Sequence, residues 1–191
     1  MRPGYNEQTD TYAIDDRICN ATAKFVYETV SQFHGEIRIA DVGERNKKAE
    51  IIENALKVNI TQLVADDFNF DKLIPENGLN KFNIICCFEV IEHLQNPLFH
   101  IKQLVELLEP DGIIFLSTPA RPRIFWPDFH YFEIDEKHLN KWIFSQAGLE
   151  ITRKSKLKIH LPFWNYFKGI RPFLRLFVNY TNIYELRIKQ Y

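Results

Sequence analysis

Acidic side chains follow three predicted buried strands, at the point where each strand ends. The strands are 37–43, 60–65 and 82–88, and the acids that follow or close them are Asp41, Asp66, Asp67, Glu89 and Glu92. Parallel strands place their carboxyl ends at one edge of a sheet, where ligands bind. Carboxylates there accept charge-assisted hydrogen bonds from hydroxyl or cationic groups. Each acid could instead cap the helix that follows it, since the helix dipole favours negative charge at its start. Three sets of acids at one edge favour a ligand site.

Two histidines provide candidates for acid–base chemistry. His93 follows the strand 82–88, and His130 lies in a segment after a further predicted strand, 113–117. An imidazole titrates near pH 6.5, so it can take up a proton at neutral pH. Glu92 is the third candidate for this role. Alternatively, His93 bonds to backbone at a helix start, His130 bonds to Glu133, or these three candidates ligate a divalent metal. We expect proton transfer without a metal.

Arg121, Arg123 and Tyr131 are the candidates for binding the second reactant. Two guanidinium groups at the mouth of a pocket suit a phosphate or carboxylate, which arginine binds through two parallel hydrogen bonds. Tyr131 belongs to an aromatic stretch, 125–132, that we expect to form a lid. The alternative for both arginines is a solvated surface loop.

Helices and strands alternate along the chain and must position these groups. Apolar residues at helical spacing predict helices over 15–35, 47–58, 97–108 and 135–147. Apolar runs predict strands over 37–43, 60–65, 82–88, 113–117, 150–159 and 182–189, with a turn at 110–112. The central runs are continuously apolar, as expected when helices cover both faces of a parallel sheet. The pattern predicts an α/β fold with a mainly parallel sheet.

Composition narrows the class of protein. The 191 residues carry 24 Lys and Arg against 25 Asp and Glu, a formal net charge of -1, which argues against nucleic acid as a partner. Three cysteines, two of them adjacent in an apolar run, predict small buried side chains in a reducing compartment. The polar start lacks the apolar stretch of a signal peptide, and no run approaches the ~20 apolar residues of a membrane span. We therefore expect a cytoplasmic protein.

Three motifs in order give the chain a family resemblance. The segment 86–97 carries a Glu-x-x-Glu-His turn after an apolar strand, 107–119 carries a Pro-Asp-Gly turn and strand, and 144–151 carries Ala-Gly-Leu between helix and strand. The region 37–153 thereby resembles a class I S-adenosylmethionine-dependent methyltransferase of the small-molecule type. The resemblance implies a three-layer Rossmann-like methyltransferase fold, with a mainly parallel sheet and an antiparallel last strand.

The chain departs from this family pattern at two places. The first motif usually has three glycines, but only Gly43 is present, with Glu44 and Arg45 where small residues are expected. The stretch from Gly43 to Glu89 is also short by about one strand–helix unit relative to the family's usual layout. Either the helix after the second strand is lost or the third strand is reduced. This form is similar to trimmed bacterial methyltransferase-like proteins that are often associated with surface-glycan genes.

The resemblance also implies roles at the cofactor site. Asp41 and Gly43 would flank the methionine moiety, with Asp41 receiving its ammonium group through water. Asp66, or else Asp67, would accept the ribose hydroxyls. The remaining pair, Phe88 and Glu89, would line the floor beside the sulfonium.

The resemblance implies methyl transfer from S-adenosylmethionine to a small polar acceptor, with a sugar or nucleotide-sugar of surface-glycan biosynthesis as the candidate. The alternative is a non-catalytic methyltransferase-like scaffold or partner subunit that has lost the cofactor, which Glu44 and Arg45 suggest. A dinucleotide-dependent oxidoreductase is disfavoured because the chain lacks the Gly-x-Gly-x-x-Gly spacing.

We expect a single methyltransferase-like domain over 1–191. It would comprise an N-terminal arm and helix (1–35), a core (36–159), an insertion rich in aromatic and basic residues (160–180) and the last strand (181–191). The insertion could pack on the core, wall the acceptor pocket, form a homodimer face or contact a membrane surface as a peripheral basic helix.

Overall fold

A computed structural model of the chain describes residues 16–65, 71–73, 81–120, 122, 130–158 and 180–190. The helices are α1 Asp16–Val30, α2 Lys47–Leu56, α3 Pro97–Glu106 and α4 Glu136–Leu139. The strands are β1 Ile39–Val42, β2 Ile60–Leu63, β3 Phe82–Phe88, β4 Leu108–Pro119, β5 Leu149–Lys158 and β6 Tyr180–Ile188.

The six strands form one mixed sheet in the order β2-β1-β3-β4-β6-β5. The β1 strand pairs in parallel with β2 and β3, and β3 pairs in parallel with β4. The β6 strand lies between β4 and β5 and runs antiparallel to both. This confirms the predicted mainly parallel sheet with an antiparallel last strand.

Helices cover both faces of the sheet. The sequence of β3 is continuously apolar because its side chains are buried on both faces. On one face Ile84 and Cys86 pack in a cluster with residues of α1 and α2. On the other face Ile85 and Cys87 pack in a cluster with residues of α3 and α4. The three cysteines, Cys19 included, are buried free thiols, as predicted.

The helices begin and end where local chemistry allows. The Asn46 side chain accepts the backbone N–H groups of Lys48 and Ala49 at 2.9 and 3.2 Å, which caps α2. The predicted helix 135–147 is a continuous helical segment whose hydrogen-bonding pattern changes along its length. The α-helix α4 continues as a π-helical turn, Asn140–Phe144, and then as a 3-10 turn, Ser145–Ala147. It ends at Gly148, whose φ of 75° suits a glycine.

The turn predicted at 110–112 is wrong, because these residues belong to β4. Leu108 pairs with Phe82 and Ile113 pairs with Ile84, so residues 109–112 bulge opposite the single residue Asn83. A Cβ on Gly112 would lie 2.6 Å from Cγ of Leu108, which explains the glycine in this bulge.

The connection from β2 to β3 is short, as predicted. Among its described residues, the single pairing is an isolated antiparallel bridge between Ala65 and Leu73. Residues 66–70 and 74–80, with Asp66 and Asp67, lie outside the described residues. None of the helices in the described ranges is long and apolar enough to cross a membrane.

Candidate active site

The loop after β1 turns sharply at Gly43. Its φ is 104°, a backbone conformation that side-chain-bearing residues rarely adopt, and its N–H donates to the carbonyl of Leu63 at 2.9 Å. A Cβ built there would meet no atom of the described residues within 4 Å, apart from its two chain neighbours. The glycine is therefore required by the backbone, and it leaves open space beside the chain.

Arg45 does not fill that space. Its guanidinium pairs with Glu53 of α2, with one contact at 3.1 Å and a second that is closer, and lies 4.0 Å from Glu50. The carboxylate of Glu53 also accepts the N–H of Ile60 at 2.9 Å, so this pair ties α2 to β2. The non-glycine side chain at position 45 is held along α2.

Asp41 lies buried beneath the loop. Its carboxyl accepts a hydrogen bond from Nδ2 of Asn46 at 3.1 Å, and it is 1% exposed. Burial raises the pKa of Asp41 to about 7, against the opposing effects of the Asn46 hydrogen bond and the Lys48 charge. Asp41 therefore changes charge near neutral pH.

Glu89 directly follows β3 in a strained conformation. Its φ is 57°, in the left-handed region, which is uncommon for a residue with a side chain. Two contacts with Ser117 of β4 hold it there. The N–H of Glu89 donates to the Ser117 carbonyl at 3.0 Å, and Oγ of Ser117 donates to Oε1 of Glu89 at 2.8 Å. Such strain is concentrated at functional sites.

A cavity of about 410 Å³ opens at this edge of the sheet. Its lining residues come from the ends of β1, β2 and β3, from the segments after them and, for Tyr131, from the segment after β4: Val42, Gly43, Ala65, Glu89, Val90, His93, Leu94, His100 and Tyr131. The volume lies within the roughly 300–1,000 Å³ of ligand pockets, and the lining is mostly apolar with a few polar groups, as such pockets are.

His93 and His130 meet beside this cavity. His93 is exposed and lines it, whereas the His130 side chain is 6% exposed. Their ring centroids are 4.7 Å apart with planes at 86°. The sequence placed these histidines 37 positions apart, and the fold brings them into contact.

Glu92 is the buried member of the cluster. Its Oε2 accepts a hydrogen bond from Oγ1 of Thr118 at 3.3 Å, and its Oε1 is buried with no hydrogen-bond partner among the described residues. Burial raises the pKa of Glu92 well above its usual value, and the charges of Glu89 and Glu133 act in the same direction. The uncharged form of Glu92 is therefore favoured relative to an exposed glutamate.

The cluster can do two kinds of chemistry. Ligand atoms of Glu92, His93 and His130 lie within 4.8 Å of one another, a spacing that could hold a divalent cation. Without a cation, an imidazole at the cavity can act as a general base. The sequence analysis expected proton transfer and gave a metal site as the alternative. The fold brings the residues of both, Glu92, His93 and His130, together.

The predicted site residues separate into four groups. Those that line the cavity are Gly43, Glu89, His93 and Tyr131, and those that lie behind it are Asp41, Glu92 and His130. Phe88 is not among the lining residues, since its ring packs on the face of α1 and α2, 5.5 Å from Nζ of Lys48. Arg121 and Arg123 lie outside the described residues, as do Asp66, Asp67 and most of the segment 160–180.

His100 is a cavity residue that the sequence analysis did not predict. It is fully buried in α3, lines the cavity and has Nδ1 3.3 Å from the carbonyl of Asp71. Burial lowers its pKa, so the ring is neutral. His100 is one of four polar residues of α3, with Lys102, Gln103 and Glu106, and no motif marks it.

Comparison with known proteins places the chain among methyltransferases. The sequence model of a family described as "Methyltransferase domain" matches residues 10–154. The chain is 35% identical over 74 residues to a ubiquinone biosynthesis O-methyltransferase of Haemophilus ducreyi, which is 39% of this chain and 30% of that protein. The chain thus spans less than a third of the length of this curated relative.

Solved structures share the fold at low sequence identity. A putative methyltransferase from Bacillus halodurans superposes with a TM-score of 0.57 at 11% identity, covering 90% of this chain and 100% of that chain. Magnesium protoporphyrin IX methyltransferase from Synechocystis, solved with bound S-adenosylhomocysteine, gives a TM-score of 0.53 at 14% identity, covering 91% and 83%. At such identities the likeness is one of fold.

Proposed function

Because the chain belongs to the class I S-adenosylmethionine-dependent methyltransferases, we propose that it transfers a methyl group to a hydroxyl oxygen of a small polar acceptor. The observation that carries this proposal is the cavity at the strand ends, which brings Gly43, Glu89 and His93 together. The position matches the place where open α/β sheets bind their ligands.

The residues present fit the cofactor. Open space beside Gly43 admits close approach of a ligand to the backbone, and carboxyl groups of Asp41 and Glu89 suit its cationic groups. We propose that Asp41 and Gly43 hold the methionine part, that Glu89 faces the sulfonium, and that Asp66 or Asp67 accepts the ribose hydroxyls. S-adenosylmethionine supplies an activated methyl group, so the chain must align the acceptor and remove its proton.

We assign proton removal to His93. It is the exposed imidazole that lines the cavity, whereas His130 is buried behind it. Taking a proton makes the His93 ring a cation, and the carboxyl group of Glu89, which lines the same cavity, favours that charge. Glu92 and His130 then support the base from behind.

Two observations bear on the acceptor: one on the atom that is methylated, the other on the class of molecule that carries it. The relatives' name, ubiquinone biosynthesis O-methyltransferase, supports a hydroxyl oxygen as the methylated atom. Arg121 and Arg123, with the resemblance to trimmed bacterial forms, support a sugar or nucleotide-sugar. We propose a sugar hydroxyl as the acceptor and treat a phenol as the competing outcome of the test below.

The segment 160–180 is proposed as an accessory surface of the single domain 1–191. Its interleaved aromatic and basic residues suit a contact with a second copy of the chain or with a membrane surface. Light scattering of the purified chain and flotation with anionic liposomes distinguish these two partners.

The test is transfer of a radiolabelled methyl group from S-adenosylmethionine to a panel of nucleotide-sugars and dihydroxyphenols. We expect label on a nucleotide-sugar, a kcat for His93→Gln lower by about 10²–10⁴-fold, and an unchanged affinity for S-adenosylhomocysteine. The matched control is His34→Gln, an exposed histidine before β1 at the opposite edge of the sheet.

Three results would redirect the proposal. Label only on dihydroxyphenols would replace the sugar acceptor. Loss of activity with a chelator, restored by Mg²⁺, would assign Glu92, His93 and His130 to a metal. No transfer to any acceptor, together with no cofactor binding, would favour the non-catalytic scaffold.

A further inference from the structure

Glu133 is a buried acidic residue that contacts His130 behind the cavity. Its side chain is fully buried, and its Oε1 lies 2.8 Å from Nδ1 of His130. Burying a carboxylate is unfavourable unless hydrogen bonds or opposite charge compensate. The imidazole of His130 provides such a partner. Both residues lie in the segment that precedes α4.

The contact fixes which nitrogen of His130 is available. An ionised carboxylate accepts hydrogen bonds and cannot donate one, so an ionised Glu133 requires the proton on Nδ1 of His130. In the neutral ring the lone pair is then on Nε2. The ring also stands edge to face against His93, with centroids 4.7 Å apart.

The backbone holds this arrangement in place. The N–H groups of Tyr131 and Phe132 both donate to the carbonyl of Glu92, at 2.9 and 3.4 Å. The segment that carries His130 and Glu133 is therefore clamped onto the turn that carries Glu92 and His93. The order from the cavity inward is His93, then His130, then Glu133.

We infer that Glu133 is a positioning residue for the proposed methyl transfer: it holds His130 in one tautomer and orientation, and through His130 it orients His93 and supports the charge that His93 acquires. This inference rests on the proposed function. A carboxylate behind an imidazole acts in this way in other catalytic sites.

The charges around the two histidines determine the effect of removing Glu133. The ionisable groups that face them from the described elements are Glu89 at the end of β3, Glu92 in the following turn, and Glu133 itself. Of these groups, Glu133 is in hydrogen-bond contact with His130, with Oε1 2.8 Å from Nδ1. Without it, a protonated imidazole is less favoured.

The test compares Glu133→Gln with Glu133→Asp in the complete chain. We expect kcat of the glutamine variant to fall by about 10–100-fold, and the acid limb of its kcat/KM profile to move by about one pH unit toward lower pH. The aspartate variant, which keeps the charge, should recover part of the rate and the wild-type profile. Affinity for S-adenosylhomocysteine should stay within twofold in both.

The control is Glu136→Gln, because Glu136 is a partly exposed residue of α4 that pairs with Lys154. We expect it to leave both the rate and the profile unchanged. A purely structural role for Glu133 would lower the rate of both variants together with their thermal stability and leave the pH profile in place.

A second measurement separates this inference from the proposed function. Nitrogen-15 NMR of the imidazoles in the unliganded chain reports the tautomer directly, whether or not methyl transfer is observed. We expect His130 of the wild type to be protonated on Nδ1 and unprotonated on Nε2 at high pH, and this preference to be lost in Glu133→Gln. The same tautomer in both proteins would overturn the inference even if the chain is an active methyltransferase.

Discussion

At the scale of single residues, burial controls the charge of the carboxyl groups behind the cavity. Asp41 lies under the loop after β1 with one side-chain hydrogen bond from Asn46, and its pKa is raised to about 7. In the unfolded chain the same group titrates near 3.8. The folded chain therefore keeps a proton between these two pH values that the unfolded chain releases.

Asp41 should make the folded chain less stable as pH rises. The favourable contribution is complete below about pH 4 and is lost as pH rises through about 7. We expect the free energy of unfolding in urea to fall by about 3 kcal/mol between pH 4 and pH 8. Asp41→Asn should remove most of this fall, because asparagine does not titrate and can still accept the hydrogen bond from Asn46.

The control is Asp111→Asn, an exposed carboxyl in the β4 bulge, which should keep the wild-type fall. An equal fall in Asp41→Asn and in the wild type would show that Asp41 is not the group responsible.

Gly43→Ala tests the loop that resembles the family's first motif. The φ of 104° makes any side chain strained by about 1–3 kcal/mol, and the new methyl group would enter the open space beside the loop. We expect reduced stability and about tenfold weaker binding of S-adenosylhomocysteine, a change of about 1.4 kcal/mol. Thermal melting and calorimetric titration measure the two effects.

Gly35→Ala is the matched control. Gly35 has a φ of 101°, also with no atom of the described residues within 4 Å of an added Cβ apart from its two chain neighbours, but it precedes β1 at the opposite edge of the sheet. It should lose stability and keep its affinity. Equal affinities of Gly43→Ala and Gly35→Ala would remove Gly43 from the cofactor site.

Sequence reasoning located the strand-end residues because the edge of a parallel sheet follows from the order of its elements. It did not locate Phe88 correctly relative to the cavity. Phe88 lies an even number of residues from Ile84 and Cys86 along β3, so the three side chains point to the same face of the sheet. This alternation does not predict which helices cover that face. His100 depends on how α3 packs against the end of β3, and that packing has no local signal.

At the scale of elements, a buried ion network joins α1 to the last two strands. Glu185 of β6 accepts hydrogen bonds from Oγ1 of Thr29 at 2.7 Å, Nε of Arg153 at 3.0 Å and Oγ1 of Thr152 at 3.1 Å. The Arg153 guanidinium also lies 3.7 Å from the ring centroid of Phe25 in α1. These contacts fix α1 against the sheet on the side away from β2.

Glu185→Gln should destabilise the fold in a pH-dependent way. Burial acts to raise the pKa of Glu185, but the hydrogen bonds from Thr29, Arg153 and Thr152 and the charge of Arg187 hold it below the usual value. The contribution of this carboxylate is therefore present above about pH 4.5 and is lost as pH falls further. We expect a loss of about 2 kcal/mol at pH 7 that shrinks near pH 3, measured by urea unfolding.

Glu28→Gln serves as the comparison, because Glu28 also pairs with Arg153, at 2.9 Å, but is half-exposed. An exposed pair contributes less than about 1 kcal/mol. If the two substitutions destabilise the chain equally, the buried network is not what fixes α1.

Local sequence predicted most of the helices and strands. It failed where the pairing between two strands decides whether a segment is a turn or part of a strand. Pro110, Asp111 and Gly112 have the residue types of a turn, and those types serve equally in a bulge. The register of β4 against β3, where Asn83 faces four residues, makes the stretch part of a strand. The π-helical turn after α4 is likewise outside what apolar spacing can predict.

At the scale of the whole molecule, the three-layer fold followed from the alternation of elements and the continuously apolar central strands. The shortened connection between β2 and β3 followed from counting residues between Gly43 and Glu89. What the sequence left open is the acceptor, because acceptor pockets are formed by loops and the fold does not determine them. Arg121, Arg123 and most of the aromatic stretch 125–132, which we propose bind it, lie outside the described residues.

Calorimetric titration of the purified chain with S-adenosylhomocysteine tests the central claim most directly, with NAD as a comparison ligand of the competing dinucleotide class. Our account predicts micromolar binding of S-adenosylhomocysteine at one site per chain and no binding of NAD. Absence of S-adenosylhomocysteine binding up to millimolar concentration would contradict it.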